Sequence, residues 1–314
     1  SRIYLFYTML LLCEAGLLGI AITGDAFNLF VFLEISSLSS YVLISFGKDR
    51  RALTAAYRYL ITGTIGATFY IIGVGLMYNA TGSLNIHDLS KLIPELAGSR
   101  TIQAALAFLT VGLGLKVALF PMHMWLPNAY AYAPSVVTVF LAATATKVAV
   151  YALIRVTYSI FGTIDVLEIL TVRDMLVVLA LLAMFCGSLV AIYQKNLKRM
   201  LAFSSIAQIG YMVLGLSFDT VTGVAAGVIH LFNHAVMKGG LFMVLGAVSY
   251  RIGSVHLDDL AGLGKKMPFT MAAFVGGGLS LIGVPLTVGF VSKWYLIQAA
   301  LEKGWWFIAI LIVV

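Results

Sequence analysis

Seven ionisable residues stand where ionisable residues are costly. Glu34, Lys116, Lys147, His230, His234, Lys238 and Lys293 all lie inside long apolar stretches. A charge at the centre of a bilayer costs about 2.5–3.5 kcal/mol on insertion scales, so several in one chain imply pairing, hydration and a function. The chemistry that these side chains support is proton transfer. Lys116 stands in Gly112-Leu-Gly-Leu-Lys116-Val-Ala-Leu-Phe-Pro121, and Glu34 has apolar or small neighbours on both sides. A carboxylate close to a lysine favours the charged ammonium, and its withdrawal favours the neutral amine. These two residues are enough for a proton switch, and they are expected to meet. His230, His234 and Lys238 recur at intervals of four, which places them on one helix face. Histidine changes charge near neutral pH, so the stripe suits a proton relay. A zinc site needs a third strong donor, and a lysine in that place argues against a metal.

Other polar residues have plainer readings. Glu14 reads equally as a functional group and as a contact to a neighbouring subunit. His123 lies between Pro121 and Pro127, where a structural hydrogen bond and a transport role are equally open. Arg58 and Arg155 are expected to snorkel to an interface. Cys13 and Cys186 have no spacing partner. No cysteine cluster, haem motif or nucleotide loop is present, so no cofactor and no electron-carrying site is expected.

The elements that hold these residues must be transmembrane helices. Hydrophobic residues make up 61% of the 314 and charged residues 11%, against roughly 25% charged in a soluble domain. Mean hydropathy is +1.01. Apolar runs mark about ten spans: Ile3 to Ile22, Ala26 to Phe46, Leu53 to Tyr78, Ile102 to Tyr132, Ser135 to Ile160, Met175 to Gln194, Lys198 to Leu216, Val221 to Tyr250, Met267 to Leu301, and a tenth from Trp305. The polar stretch 79–100 contains an interfacial segment around Leu84 to Leu89. The fourth and ninth spans are overlong and carry Pro121 and Pro285. Proline removes a backbone donor and clashes with the preceding turn, so both helices are expected to break there. The chain opens without methionine and closes inside an apolar run, which reads as an internal portion of a longer protein.

The net charge of +7 reflects loops rather than a nucleic-acid surface. Alternate loops carry ten basic residues on one side and five on the other. The side with ten includes Arg2, Lys48, Arg50, Arg51, Lys195, Lys198 and Arg199. The positive-inside rule puts that side, and the chain start, in the cytoplasm. Similar segments around Ser36 and Ser204 lie 168 residues apart, and Pro121 and Pro285 lie 164 apart. Five helices separate the equivalents, so a second copy would be inverted, as in many ion transporters. The expected architecture is an all-α integral membrane protein of two inverted five-helix repeats, 1–160 and 161–314, each with one interrupted helix. Lys116 and Lys293 do not superpose under the 164-residue offset.

These residues carry a family resemblance. Gly24-Asp-Ala-Phe-Asn-Leu-Phe-Val-Phe-Leu-Glu34, Lys116-Val-Ala-Leu-Phe-Pro-Met-His-Met-Trp-Leu-Pro127, Thr146-Lys147-Val-Ala-Val-Tyr-Ala-Leu, His230-Leu-Phe-Asn-His234-Ala-Val-Met-Lys238 and Gly283-Val-Pro-Leu-Thr-Val-Gly-Phe-Val-Ser-Lys293 resemble the antiporter-like membrane subunits of respiratory complex I and Mrp-type cation/proton antiporters. The likeness is strongest to the D component of the Mrp type and next to the complex I subunits. It implies a core equivalent to the family's fourth to thirteenth helices. By that resemblance Glu34 is the key glutamate, Lys116 the lysine of the first broken helix and Lys147 the connecting lysine. His230, His234 and Lys238 match the central relay, and Lys293 the terminal residue, which is glutamate in some members.

The function expected is a proton-translocating, or sodium/proton-antiporting, membrane subunit of a multisubunit antiporter or complex I-like NADH:quinone oxidoreductase. Its partners would be other membrane subunits, protons, sodium as a second candidate ion, and the lipid of the inner (plasma) membrane. An independent secondary transporter for a small solute and a purely structural subunit are the alternatives. A solute carrier needs a cavity of varied polar groups, and a structural subunit has no use for four lysines in the bilayer.

Overall fold

A computed structural model describes residues 3–162 and 172–313. Arg2 and the acidic residues Asp165 and Glu168, which belong to the loop charges, lie outside the described residues. The described residues are mostly helical, and no strand occurs among them. Among the described residues, eight helices are long and apolar enough to cross a membrane. The first three are α1 (Ile3–Ile22), α2 (Ala26–Ser45) and α3 (Arg51–Thr81). A short amphipathic helix, α4 (Ile86–Glu95), buries Ile86, Leu89 and Ile93, where the sequence suggests an interfacial segment.

The expected fourth span is broken. It comprises α5 (Arg100–Val117), an irregular stretch 118–125 and α6 (Leu126–Tyr132). The fifth follows Pro134 as α7 (Ser135–Ala143) and α8 (Ala145–Ile154), bent at Thr144, and ends in a π-helical turn over Arg155–Ile160. Next come α9 (Val172–Ile192), α10 (Leu197–Ser217) and α11 (Val221–Ile252). After a small turn of helix, α12 (Leu263–Lys266), the ninth span divides into α13 (Pro268–Ile282) and α14 (Val288–Glu302). The tenth begins as α15 (Trp306–Val313). Both breaks therefore fall at the prolines. Gly283 at φ 89° ends α13, and Ala118 at φ 62° ends α5.

Three spans of the first half recur in the second with an offset of 171 residues. Ala26 and Ile86 pair antiparallel with Leu84 and Gly24, and Leu197 and Leu257 pair in the same way with Val255 and Lys195. α3 ends on Gly82 at φ 70°, and α11 ends on Gly253 at φ 75°. Ser83 hydrogen-bonds Asp88, and Ser254 hydrogen-bonds Asp259. Asp25 caps α2 through the amide of Asn28, and Asn196 caps α10 through that of Arg199. A Cβ on Gly16 would strike the backbone of Ser36, and one on Gly187 the backbone of Ala207. The register of 168 residues read between Ser36 and Ser204 is thus three short here, because the shared Ser-Ser pair misaligns two otherwise similar helices. The underlying motif is Gly-Ser-x-x-x-x-Asp-Leu-x-x-Leu, at Gly82 and again at Gly253.

Candidate ion-translocation site

Glu34 lies near the middle of α2, and Lys116 stands one residue from the end of α5. Their side chains meet: Lys116 Nζ is 3.0 Å from Glu34 Oε1 and donates to Ser37 Oγ at 2.6 Å. The lysine is nearly fully buried, and the glutamate is about one-fifth exposed. A cavity beside the pair is lined by Lys116, Ser36, Ser37, Ser40, Tyr59 and Ala145. Ala145 brings the cavity to α8, two residues before Lys147.

The bend at Thr144 frees carbonyls of α7, and Lys147 Nζ takes up the one on Ala142, with Thr146 Oγ1 at 3.2 Å as a second partner. α11 crosses at this level, where a Cβ on Gly239 would touch Ala143. Lys238, the residue before that glycine, is fully buried. Its Nζ donates to Leu201 O at 2.7 Å and Ser204 Oγ at 3.0 Å. One turn away, His234 is fully buried, and neither ring nitrogen has a hydrogen-bond partner among the described residues. Its ring stacks on that of His230 with centroids 6.3 Å apart.

His230 is held at both nitrogens, by Gln208 Oε1 at Nε2 and Ser292 Oγ at Nδ1, each at 2.8 Å. Ser292 Oγ also reaches Gly289 O at 3.1 Å. The neutral ring fits when Nε2–H donates to Gln208 and Nδ1 accepts from Ser292. The protonated ring fits when Nδ1–H donates to Ser292 and that hydroxyl turns to Gly289 O. One serine rotor therefore accommodates both charge states. Lys293 reaches back across the second break to Ile282 O at 2.9 Å. Its ammonium lies 4.5 Å from the centre of the Tyr211 ring, which in turn packs on His230.

The structure thus gathers all seven candidates along one series of touching elements. Several partners escaped the sequence reading: Ser37, Ser204, Gln208, Tyr211 and Ser292. Ser204, Gln208 and Tyr211 follow one another at four and three residues on α10, a helical spacing that is visible in the sequence. Lys198, one of the expected loop charges, is buried in the first turn of α10 and donates to Ser135 Oγ at 3.1 Å. His123 stacks on Phe120, and its Nδ1 has no hydrogen-bond partner among the described residues. Glu14 and Arg58 are exposed on the bundle's outside, whereas Arg155 is tied to Thr23 O.

Fold and site define a polytopic membrane protein with two interrupted helices and a series of mostly buried ionisable side chains. The chain belongs to the NADH:quinone oxidoreductase/Mrp antiporter transmembrane family, whose pattern it matches over residues 23–314. It is 50% identical over 309 residues to NADH-quinone oxidoreductase subunit N of Desulforudis audaxviator, covering 98% of this chain and 61% of that protein. It is 34% identical to the D component of the Na(+)/H(+) antiporter of Alkalihalophilus pseudofirmus, covering 95% of this chain and 59% of that one. A chain in the structure of the Mrp complex from Dietzia sp. superposes with a TM-score of 0.90 at 33% identity, covering 97% of this chain and 56% of its own. Both branches of the resemblance are represented, and of these relatives the quinone-oxidoreductase subunit is the more similar. The chain spans about three-fifths of the length of the curated relatives it matches.

Proposed function

We propose that this chain is the proton-translocating subunit of a larger membrane complex, and that Glu34, Lys116, Lys147, His230, His234, Lys238 and Lys293 carry the proton. The observation that carries the reading is the placement of the seven side chains on elements that touch in turn: Glu34 pairs with Lys116, whose cavity borders α8, α11 crosses beside Lys147, His234 stacks on His230, and Tyr211 lies between His230 and Lys293. Glu34 loads or unloads Lys116, whose cavity borders α8. Lys147, Lys238 and Lys293 are each held by carbonyl oxygens, so releasing a proton breaks hydrogen bonds to neutral dipoles rather than an ion pair. His230 passes a proton with one hydroxyl rotation.

The proposal includes two five-helix halves, 1–160 and 161–314, of opposite topology. The 171-residue offset supports it: the pairing of Gly24 with Ile86 and that of Lys195 with Leu257 lie an odd number of crossings apart, on opposite faces. The bias of basic loops supports a cytoplasmic chain start in the plasma membrane. Partners are the other membrane subunits of the complex. The names of the relatives point to two settings for the complex, a quinone oxidoreductase or a sodium/proton antiporter.

Vesicles bearing the intact complex and an internal pH-sensitive dye test the reading. Proton movement on energising the complex, slowed about tenfold or more by Lys147→Ala or Lys238→Ala, is expected of groups that carry the proton. Full proton movement in both variants contradicts it, as does solute uptake without proton movement.

A further inference from the structure

Two cavities lie at the two ends of a seam that α1 and the turn after it form with α8 and the π-helical turn that follows it. The first holds Lys116 and is bounded by Leu17 and Ile20 of α1 and by Ala145 and Ala149 of α8. The second opens at the far end of the seam and is lined by Gly24, Asn85, His87, Ser90, Arg155 and Ser159. What separates them is short. On the α8 side it is Tyr151 and Arg155, which share the face of Lys147 at intervals of four. On the α1 side it is the end of the helix, where Tyr151 OH donates to Ala21 O at 3.1 Å and the Arg155 guanidinium donates to Thr23 O. The guanidinium also lies 5.9 Å from the centre of the Tyr151 ring. Arg155 opens the π-helical turn Arg155–Ile160, an irregularity often found at functional sites.

Arg155 makes no ion pair among the described residues. The nearby carboxylate of Asp25 is engaged with the amide of Asn28 at 2.7 Å. An arginine that only snorkelled would point its head group into the open. This one is half-buried, is tied to Thr23 O and lines the outer cavity. Arginine does not lose its proton in proteins, so it cannot relay one by titrating. A fixed positive charge across a narrow passage is instead a barrier to protons and other cations.

We propose that Arg155, seated by Thr23 and backed by Tyr151, is an electrostatic plug. It separates the Lys116 cavity from an aqueous vestibule on the face where α1 ends, and so prevents protons from leaking past the row. This rests on the proton-translocating reading above. It assigns Arg155 a role in coupling rather than in carrying the proton.

Passive proton entry into vesicles containing the assembled complex, under a potassium diffusion potential and with no driving substrate, tests the plug. Arg155→Gln is expected to raise the leak about tenfold, as a barrier lowered by about 1.4 kcal/mol would. Arg155→Lys, which keeps the charge, should stay as tight as the unmodified complex. Adding Lys116→Ala to Arg155→Gln should suppress the leak, because protons would then lack their acceptor in the inner cavity. A tight Arg155→Gln complex overturns the proposal, as does a leak indifferent to Lys116 or an equal leak in Arg155→Lys. Should Arg155→Gln fail to assemble, Tyr151→Phe decides: an increased leak supports the plug and an unchanged one overturns it. Coupled transport in the same vesicles separates the two ideas. If Lys116→Ala abolishes it while the Arg155 variants stay tight, only the plug fails. If Lys116→Ala retains it, the proton-translocating reading itself fails.

Discussion

Of the four lysines in the row, one faces a carboxylate and three face carbonyl oxygens. The difference sets what each substitution should do. Removing one partner of a buried pair leaves an uncompensated charge and costs about 3–5 kcal/mol. Glu34→Gln should therefore both lower the melting temperature and slow transport, whereas Glu34→Gln combined with Lys116→Met should regain stability without regaining transport. Thermal unfolding beside a proton flux assay separates the two effects. Ser292→Ala removes the hydroxyl that lets His230 change charge state. Transport about tenfold slower or more, with the complex still assembled, is the expected result, and an unaltered rate would remove the rotor from the account. An exposed pair behaves otherwise. Two side-chain hydrogen bonds from Arg51 hold the Asp49 carboxyl below the usual carboxylate range. The stabilisation is present above the unfolded pKa of about 3.9 and fades as pH falls through the lower folded value. Asp49→Asn should cost little at pH 7, because exposed pairs contribute little, and the difference from the parent should close in acid.

The interrupted helices explain why lysines can sit in this bundle. In a bilayer, freed backbone groups must find partners within the protein. Trp125 Nε1 caps Leu115 O at 3.0 Å, Lys147 caps Ala142 O and Lys293 caps Ile282 O. Each break thus supplies an acceptor to a long donor side chain beside it. At the second break this is legible in the sequence, since Pro285 announces the interruption and Lys293 its user; at the first, Lys116 turns to Glu34 and Trp125 takes the carbonyl. The bend at Thr144 is less legible, because it has no proline. The side-chain partners on α10 are hidden for another reason. That span is the most buried of the eight, with 89% of its apolar stretch inside the bundle, so its Ser and Gln read as packing residues until their contacts are known. Close helix contacts give a further expectation. A Cβ on Gly112 would lie 2.7 Å from Gly66 O and 2.8 Å from Tyr70 N, and backbone atoms cannot yield as side chains do. Gly112→Ala should cost about 1–3 kcal/mol by overpacking, measured as a lowered melting temperature, whereas Gly276→Ala, with open space around it, should not.

At the scale of the molecule, the 171-residue offset makes one motif serve two faces. Gly82-Ser-Leu-Asn and Gly253-Ser-Val-His each end a long helix, turn on a left-handed glycine and pair with the start of another span. For the first three spans sequence similarity pointed to 168 residues because it followed serines, whereas the 164-residue spacing of the prolines belongs to the interrupted helices, which do break there. The loop motif, only a dozen residues long and degenerate at half its positions, carries the better register. The charges break this symmetry: Glu34 corresponds to Ser205 and His230 to Tyr59. One half therefore holds the carboxylate–lysine switch and the other the histidine relay. On the proposed function, a proton crossing the protein uses both and passes from Lys116 at one break to Lys293 at the other. Replacing Lys116 and Lys293 separately with alanine, and measuring proton flux by the assembled complex in vesicles, tests this most directly. Normal assembly with flux reduced about tenfold or more in each variant is the predicted result, and full flux with either lysine absent would contradict it.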